Sequence, residues 1–469
     1  MSPLSPTTPD RATADPAAAH PGAADPGAAD PGAAADAATE AILTSLHGPE
    51  RGVVVNSPPG AGKSTLVVRA ARELAAAGRR LMVVAQTNAQ VDDLVDRLAA
   101  ADPALPIGRL HSTEARAHDP AAPDLTRHPA VRMSAKPADL LGMDVVVSTA
   151  AKWAHVKDVE PWEYAIVDEA YQMRSDGLLA VARLFERALF VGDPGQLDPF
   201  SQVGTEQWAG LSYDPSMSAV ATLLAHNPGL PQHRLPVSWR LPASAAPLVS
   251  RAFYPDNPFR SGTGPGDRRL AFAADADGSA TDRALDVAAE AGWALLELPA
   301  RRTPRTDPEA VAAVADVVRR LLERGGETVS ERSSEPAPLT ADRVAVGTAH
   351  RDQAAAVRAA LAALGVEGVT ADTANRLQGR EFDVTVVLHP LSGRPDATAF
   401  HLETGRLCVL ASRHRHACVV VCRAGVAELL DAYPEVEPVR LGVDVRFPDG
   451  WEAHQEVLAT LAAHRVGQD

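Results

Sequence analysis

The chain has 469 residues, enough for two or three domains with their own cores. With 45 Lys and Arg against 60 Asp and Glu the formal net charge is −15, which excludes coating nucleic acid through bulk positive charge and confines any strand-binding surface to a local groove. No apolar run approaches a membrane span and no basic-then-apolar leader opens the chain, so a cytoplasmic protein without membrane contact is expected.

From Met1 to about Ala35 the chain is built of Ala, Pro, Asp and Gly, with the near-repeat PGAAD at residues 21–25, 26–30 and partly 31–35. Such a composition buries too little apolar surface to offset the entropy of ordering, so a disordered tail is expected over residues 1–36. A linker and a tail that recruits a protein partner are both open readings. A short helical pattern from Ala37 to Leu46 leads into the first strand.

The stretch GVVVNSPPGAGKSTLVVRAARELAAAG, Gly52 to Gly78, reads as strand, loop, helix. Val53 to Val55 form a β-branched run, Pro58 to Gly62 break it, and Leu66, Val67, Ala70 and Leu74 then recur at helical spacing up to Gly78. Backbone N–H groups of such a loop and the helix N-terminus converge on one point that favours a polyphosphate. Pro59, Gly60, Ala61, Gly62 and Thr65 would form the cradle, Lys63 would supply a charge for the β/γ-phosphates, and Ser64 a hydroxyl for Mg2+. The pattern G-x-x-x-x-G-K-[ST] fails only at its first position, Ser57.

A second strand, Leu81 to Ala85, runs into QTNAQVDDLVDRL, a helix with Thr87 and Asn88 at its start. Residues 102–140 show weak periodicity and read as a small insertion. Strands resume at Asp144 to Ser148, Tyr164 to Val167 and Ala188 to Val191, each a run of the kind a parallel sheet buries on both faces. The second of these runs directly into Asp168 and Glu169: a carboxylate there can hold Mg2+, and its neighbour can deprotonate a water. LFVGDPGQLDPF places Gly192, Asp193 and Gln196 at another strand exit.

The middle, Ser201 to Arg305, is uninformative apart from LPVSWRLP. An amphipathic helix is expected over Asp307 to Gly325 and an exposed linker over 326–340. Strands follow at Val344 to Thr348, Gly368 to Thr370, Val384 to His389 and Ala417 to Cys422, so the second half again alternates strand and helix, without a phosphate loop of its own. The three cysteines, Cys408, Cys418 and Cys422, read as buried thiols, because no Cys/His cluster with zinc spacing exists.

Taken together, the motifs resemble the superfamily 1 helicases over about residues 40–425, and more closely the compact branch with a GPPGTGKT-like loop. SPPGAGKST looks like motif I, AQTNAQVDDL like Ia, VVSTA like Ic, VDEA like II and VGDPGQLDP like III. LPVSWRLP resembles the L-x-x-x-Y-R motif, with Trp239 where Tyr or Phe is usual. TANRLQGREFDVTVV resembles motif V, with Asn375 in place of Asp, and RLCVLASRHRH resembles motif VI.

The resemblance implies an α/β protein of two RecA-like parallel-sheet domains, over residues 37–230 and 231–440, with a C-terminal extension over 441–469. It implies ATP and Mg2+ in the cleft between them and single-stranded nucleic acid as partner. Lys63, Ser64, Asp168, Glu169 and Gln196 would act from the first domain and Arg240 and Arg413 from the second, with Gly379 and Glu381 near the phosphates and ribose. Thr87, Asn88, Ser148, Thr149, Thr373 and Asn375 fall where the family touches the strand backbone. No glutamine stands upstream of motif I to read adenine, which leaves base selectivity open, and the accessory domains of larger members are small or missing. A DNA or RNA helicase moving 5′ to 3′ is the expectation. A nucleic-acid-stimulated ATPase that remodels without unwinding and a slow NTPase switch are the alternatives.

Overall fold

A computed structural model describes residues 30–112, 123–199, 206–208, 211, 214, 217–331, 333–433 and 449–467. The expected disordered tail lies outside the described residues up to position 29. Residues 31–36, assigned to that tail, are helical instead: α1 runs Pro31–Leu46. The Asp30 carboxylate accepts from the backbone N–H of Gly32 at 3.3 Å and Ala33 at 3.1 Å, with Pro31 in the first turn, and the alanines that cannot build a core propagate a helix well. Ile42, Leu43 and Leu46 anchor it in the first core.

The first sheet has eight strands, all parallel: β1 (Gly52–Asn56), β2 (Leu81–Ala85), β3 (Ile107–Leu110), β4 (Val131–Ser134), β5 (Val145–Thr149), β6 (Trp162–Asp168), β7 (Phe185–Gly192) and β8 (Gln232–Arg234), in the order β4-β3-β5-β2-β6-β7-β1-β8. The valine runs alternate between two cores. Val53 and Val55 pack with α2 (Lys63–Ala76) on one face, and Val54 packs with Trp153 and Phe190 on the other. The expected insertion at 102–140 supplies β3 and β4, an edge pair too short and, in β4, too exposed to leave a periodic signature. β8 pairs with β1, so the first sheet extends past the expected boundary at 230.

Beyond it lie β9 (Val237–Ser238), β10 (Arg260–Ser261), β11 (Arg269–Phe272), β12 (Trp293–Leu298), β13 (Gly326–Ser330), β14 (Ser333–Pro338), β15 (Val344–Thr348), β16 (Thr370–Thr373), β17 (Phe382–Leu388), β18 (His414–Arg423) and β19 (Arg465–Gly467). The second sheet is also all parallel, in the order β16-β15-β17-β18-β12-β19. β12 comes from the stretch that seemed uninformative. The expected linker at 326–340 is the β13–β14 hairpin, which with β11 forms a small antiparallel sheet. The expected C-terminal extension belongs to the second domain: the helix Gly450–Ala462 buries Ala453, Val457 and Leu461 in its core, and β19 pairs with β12. The three cysteines are free and buried. Among the described residues no helix is long and apolar enough to cross a membrane, and no cluster of His, Cys, Asp and Glu could hold a metal ion.

Candidate nucleotide site between the two domains

The phosphate loop leaves β1 at Ser57 and enters α2 at Lys63. Gly60 (φ 70°) and Gly62 (φ 86°) take left-handed conformations that a side chain would strain, and a Cβ on Gly60 would run into Arg240. That close approach is fastened: Trp239 N–H donates to the Gly60 carbonyl at 2.8 Å and Ser238 Oγ to the Pro59 carbonyl at 2.6 Å.

Lys63 Nζ forms an ion pair with Glu169 and lies 3.8 Å from Asp168 Oδ1. Burial works against the ammonium charge, but the two carboxylates outweigh it and hold Lys63 above its usual range. Burial pushes Asp168 up to about 6 against the pull of Lys63. Its Oδ1, facing the Lys63 ammonium, is buried at the cleft without a hydrogen-bond partner among the described residues. Glu169 has φ 52°, and a residue of this type in that region stores roughly 1–3 kcal/mol of strain.

At the end of β7, Asp193 is a junction. It accepts from the Tyr254 hydroxyl at 2.6 Å, from Gly195 N–H at 3.0 Å and from the Gln196 amide, while burial pushes it up to about 6. The Gln196 carbonyl oxygen in turn accepts from Gln378 Nε2 at 2.9 Å, a bond from the first domain to the second. Tyr254 and Gln378 were not foreseen. Gln378 sits inside the motif V stretch, where it was legible; nothing in the sequence around Tyr254 marks it.

The second domain contributes arginines. Glu381 accepts from Arg240 Nε at 3.1 Å and from an Arg415 guanidinium nitrogen at 3.0 Å. Arg413 is 1% exposed and donates only to neutral acceptors, the carbonyls of Val409 (3.1 Å) and Arg380 (3.4 Å) and Ser412 Oγ (2.8 Å). Burial and the neighbouring Arg240 push it down to about 10. Every residue assigned to the nucleotide from the sequence lines one cleft of about 730 Å³ between the domains.

Two family models, each described as an AAA domain, match residues 34–207 and 230–425, one on each half of the cleft. The chain therefore carries an AAA domain in each half. No curated protein matches it. Among solved structures, the arterivirus nonstructural protein 10 helicase is 13% identical, with 81% of this chain and 61% of that one covered and a TM-score of 0.42. Its complex with DNA is 14% identical (83% and 64% covered, TM-score 0.42), and the PRRSV helicase is 15% identical (82% and 54% covered, TM-score 0.40). The chain thus spans less than two thirds of the length of each of these helicases.

The residues assigned to strand contact lie at the carboxyl ends of β2, β5 and β16, on the loop-bearing rims of the two sheets. Thr87 and Asn88 are exposed at the start of α3 (Asn88–Ala101), where Thr87 caps the helix and Asn88 Oδ1 accepts from Arg109 at 3.0 Å. Thr149 is half-buried and caps the helix Ala150–Ala154. Asn375 is exposed, its Oδ1 accepting from Arg406 at 3.3 Å; Thr373 is buried beside it. Ser148 departs from the expectation: it is fully buried and donates to the Leu110 carbonyl at 2.6 Å, so its hydroxyl ties β5 to the β3 end instead of facing a strand.

Proposed function

We propose that the protein is a nucleic-acid-stimulated ATPase that couples Mg2+-dependent ATP hydrolysis to movement along single-stranded nucleic acid and to unwinding, acting in the cytoplasm. One observation carries this reading: Lys63, Asp168 and Glu169 from one domain and Arg240 and Arg413 from the other converge on a single cleft. Ser64 and Asp168 Oδ1, which has no hydrogen-bond partner among the described residues, fit a hard cation, which when bound would neutralise phosphate charge.

The chain's own groups then divide the work. Loop amides and Lys63 bind the triphosphate, and phosphate oxygens compete with Glu169 for the Lys63 ammonium. Glu169, released from that ion pair, takes the proton of the attacking water. Arg413, buried without a carboxylate partner among the described residues, presents an uncompensated guanidinium to the charge that develops on the transferring phosphoryl group. Gln196, bonded to Gln378, links the γ-phosphate position to the element that carries Thr373 and Asn375.

Turnover measured with and without single-stranded DNA and RNA, followed by strand displacement on substrates with a 5′ or a 3′ tail, tests the proposal. Strong stimulation and displacement from a 5′ tail are expected. Turnover indifferent to both nucleic acids would leave a switch-like NTPase. Stimulation without displacement would leave a translocase that remodels without unwinding.

A further inference from the structure

The 730 Å³ cleft accounts for the triphosphate, but none of the roles assigned in it reads the base. The γ end is fixed by Glu169, Gln196 and Arg413, so the nucleoside leaves the loop at its other end, past Gly62 and Thr65. There a second cavity of about 210 Å³ opens, sharing Ala61, Gly62, Thr65 and Trp239 with the cleft. Its far wall is α1, whose Gly32, Ala35, Asp36 and Thr39 recur at helical spacing on one face.

Trp239 borders both spaces. Its indole packs against Gly262, where a Cβ would collide with the ring, and remains 36% exposed. Its backbone N–H is tied to the phosphate loop through Gly60, so a flat π surface is held at a fixed offset from the phosphates.

The polar side chains of the α1 wall are acceptors. The exposed Asp36 carboxylate makes no hydrogen bond or ion pair among the described residues, and the Thr39 hydroxyl hydrogen is already given to the Ala35 carbonyl at 2.9 Å. Arg69 turns Nε to Glu73 at 3.0 Å and another nitrogen to Glu40. Among the described residues no Asn or Gln side chain borders the cavity. Adenine presents a donor, the N6 amino group, beside an acceptor, and selecting it takes a group that donates and accepts at once. Guanine presents two adjacent donors, N1–H and the N2 amino group, which one carboxylate accepts together.

We propose that this cavity holds the base by stacking on Trp239 and does not select adenine: the enzyme takes purine nucleoside triphosphates generally, guanosine triphosphate at least as well as adenosine triphosphate, with Asp36 as the residue that admits guanine. The proposal rests on the nucleotide-hydrolysing function given above and names its substrate class.

The test is steady-state turnover of the full chain with ATP and with GTP at saturating single-stranded nucleic acid. The expected kcat/KM for GTP equals that for ATP or exceeds it by up to about tenfold, the worth of one or two hydrogen bonds. Asp36→Asn replaces an acceptor with a group that also donates and should lower the GTP/ATP ratio about tenfold. Trp239→Ala should raise KM for both nucleotides, with Trp239→Phe recovering most of the loss. An ATP preference of about a hundredfold or more, the mark of a site built to hydrogen-bond adenine, would overturn the proposal and leave the ATPase reading standing. So would an unchanged ratio in Asp36→Asn. Should neither nucleotide turn over, the ATPase reading fails instead, and equilibrium titration with fluorescent ATP and GTP analogues still decides the base question: comparable Kd values support the proposal, and a hundredfold preference for the adenine analogue ends it.

Discussion

The two parallel sheets are made of the same material and differ in what their strand ends carry. Val53 to Val55 in the first and Val384 to Val387 in the second alternate between opposite faces in the same way, each sheet lying between two apolar clusters. In the first sheet the carboxyl ends of β1, β6 and β7 deliver a glycine loop with Lys63, then Asp168 and Glu169, then Asp193 and Gln196. In the second, β15 passes within two residues to His350 and the helix Arg351–Ala363, with no loop to cradle a phosphate, while the amino end of β18 brings Arg413 and Arg415 to the cleft. A buried sheet is therefore indifferent to chemistry. On the proposed function, one half would grip the ground state, and the other would supply charge that matters once the halves face each other.

The largest expected effect breaks the gripping half. Lys63→Ala removes the mobile charge of the loop and should abolish turnover and weaken nucleotide binding together. Glu169→Gln keeps the loop and should retain binding while turnover is lost. The two are separated by measuring Kd by titration beside kcat. A Glu169→Gln protein that hydrolyses near the wild-type rate would remove the water-activating role from β6.

Arg413→Ala asks whether the second half acts only in the transition state. Arginine fingers contribute about 10^3 to 10^5 in rate, so kcat at saturating ATP and nucleic acid should fall on that scale with little change in nucleotide Kd. Lysine should rescue poorly, since it lacks the planar fork. An unchanged kcat with weaker strand binding would place Arg413 on the nucleic acid instead and erase the contrast between the halves.

The same contrast explains what was legible in the sequence. Strands that bury both faces, such as Leu81–Ala85 and Val344–Thr348, announce themselves as apolar runs, and the loop residues assigned to phosphate have types that few other tasks require. β4 and β19 were hidden because edge strands bury little, and β19 needs only three residues to pair with β12. The β13–β14 hairpin, TVSERSSEPAP, carries the Ser, Glu and Pro of a loop and holds its shape through partners distant in sequence. Tyr254 was invisible for a related reason: its bond to Asp193 joins residues 61 positions apart.

Acid should sharpen the comparison by destabilising the halves unequally. Burial pushes His414 down to about 3 and His401 and His454 down to about 4, all in the second domain. A histidine whose folded value lies below 6.5 takes its proton only on unfolding, so its contribution is full above 6.5 and drains away as pH falls toward 4. At pH 5 this amounts to on the order of 1–2 kcal/mol per histidine. Asp193 in the first domain has the opposite sign: with a folded value raised to about 6 by burial, it holds its proton more tightly folded than unfolded and adds stability as pH falls from 6 toward 4. Hydrogen exchange at pH 5 should show protection lost in β12, β17 and β18 while β1, β2 and β6 keep theirs. Equal loss in both sheets would show that the histidines do not set the acid limit.

The smallest effect concerns the hairpin that separates the second domain from a bare copy of the first. Arg268, its side chain 1% exposed, donates to the Trp239 carbonyl at 2.7 Å, to the carbonyl of Arg240, and to both oxygens of Glu331 at 2.7 and 2.9 Å. Glu331 also meets Arg415 at 3.3 Å, and Arg268 chiefly, with Arg415 adding to it, holds the Glu331 carboxyl down at about 2. The hairpin thus reaches the backbone that carries Arg240, and its carboxylate sets the direction of a guanidinium that cannot turn to water. Glu331→Gln keeps one acceptor and removes the charge, so Arg268 stays bonded with weaker partners, a change worth about 1 kcal/mol. The expected result is a fall in kcat of about threefold to tenfold with KM for ATP nearly unchanged, because Arg240 is displaced slightly and the phosphate loop not at all. A merely structural role would lower the unfolding midpoint and leave kcat intact. That outcome would return the hairpin to the passive linker its sequence suggests.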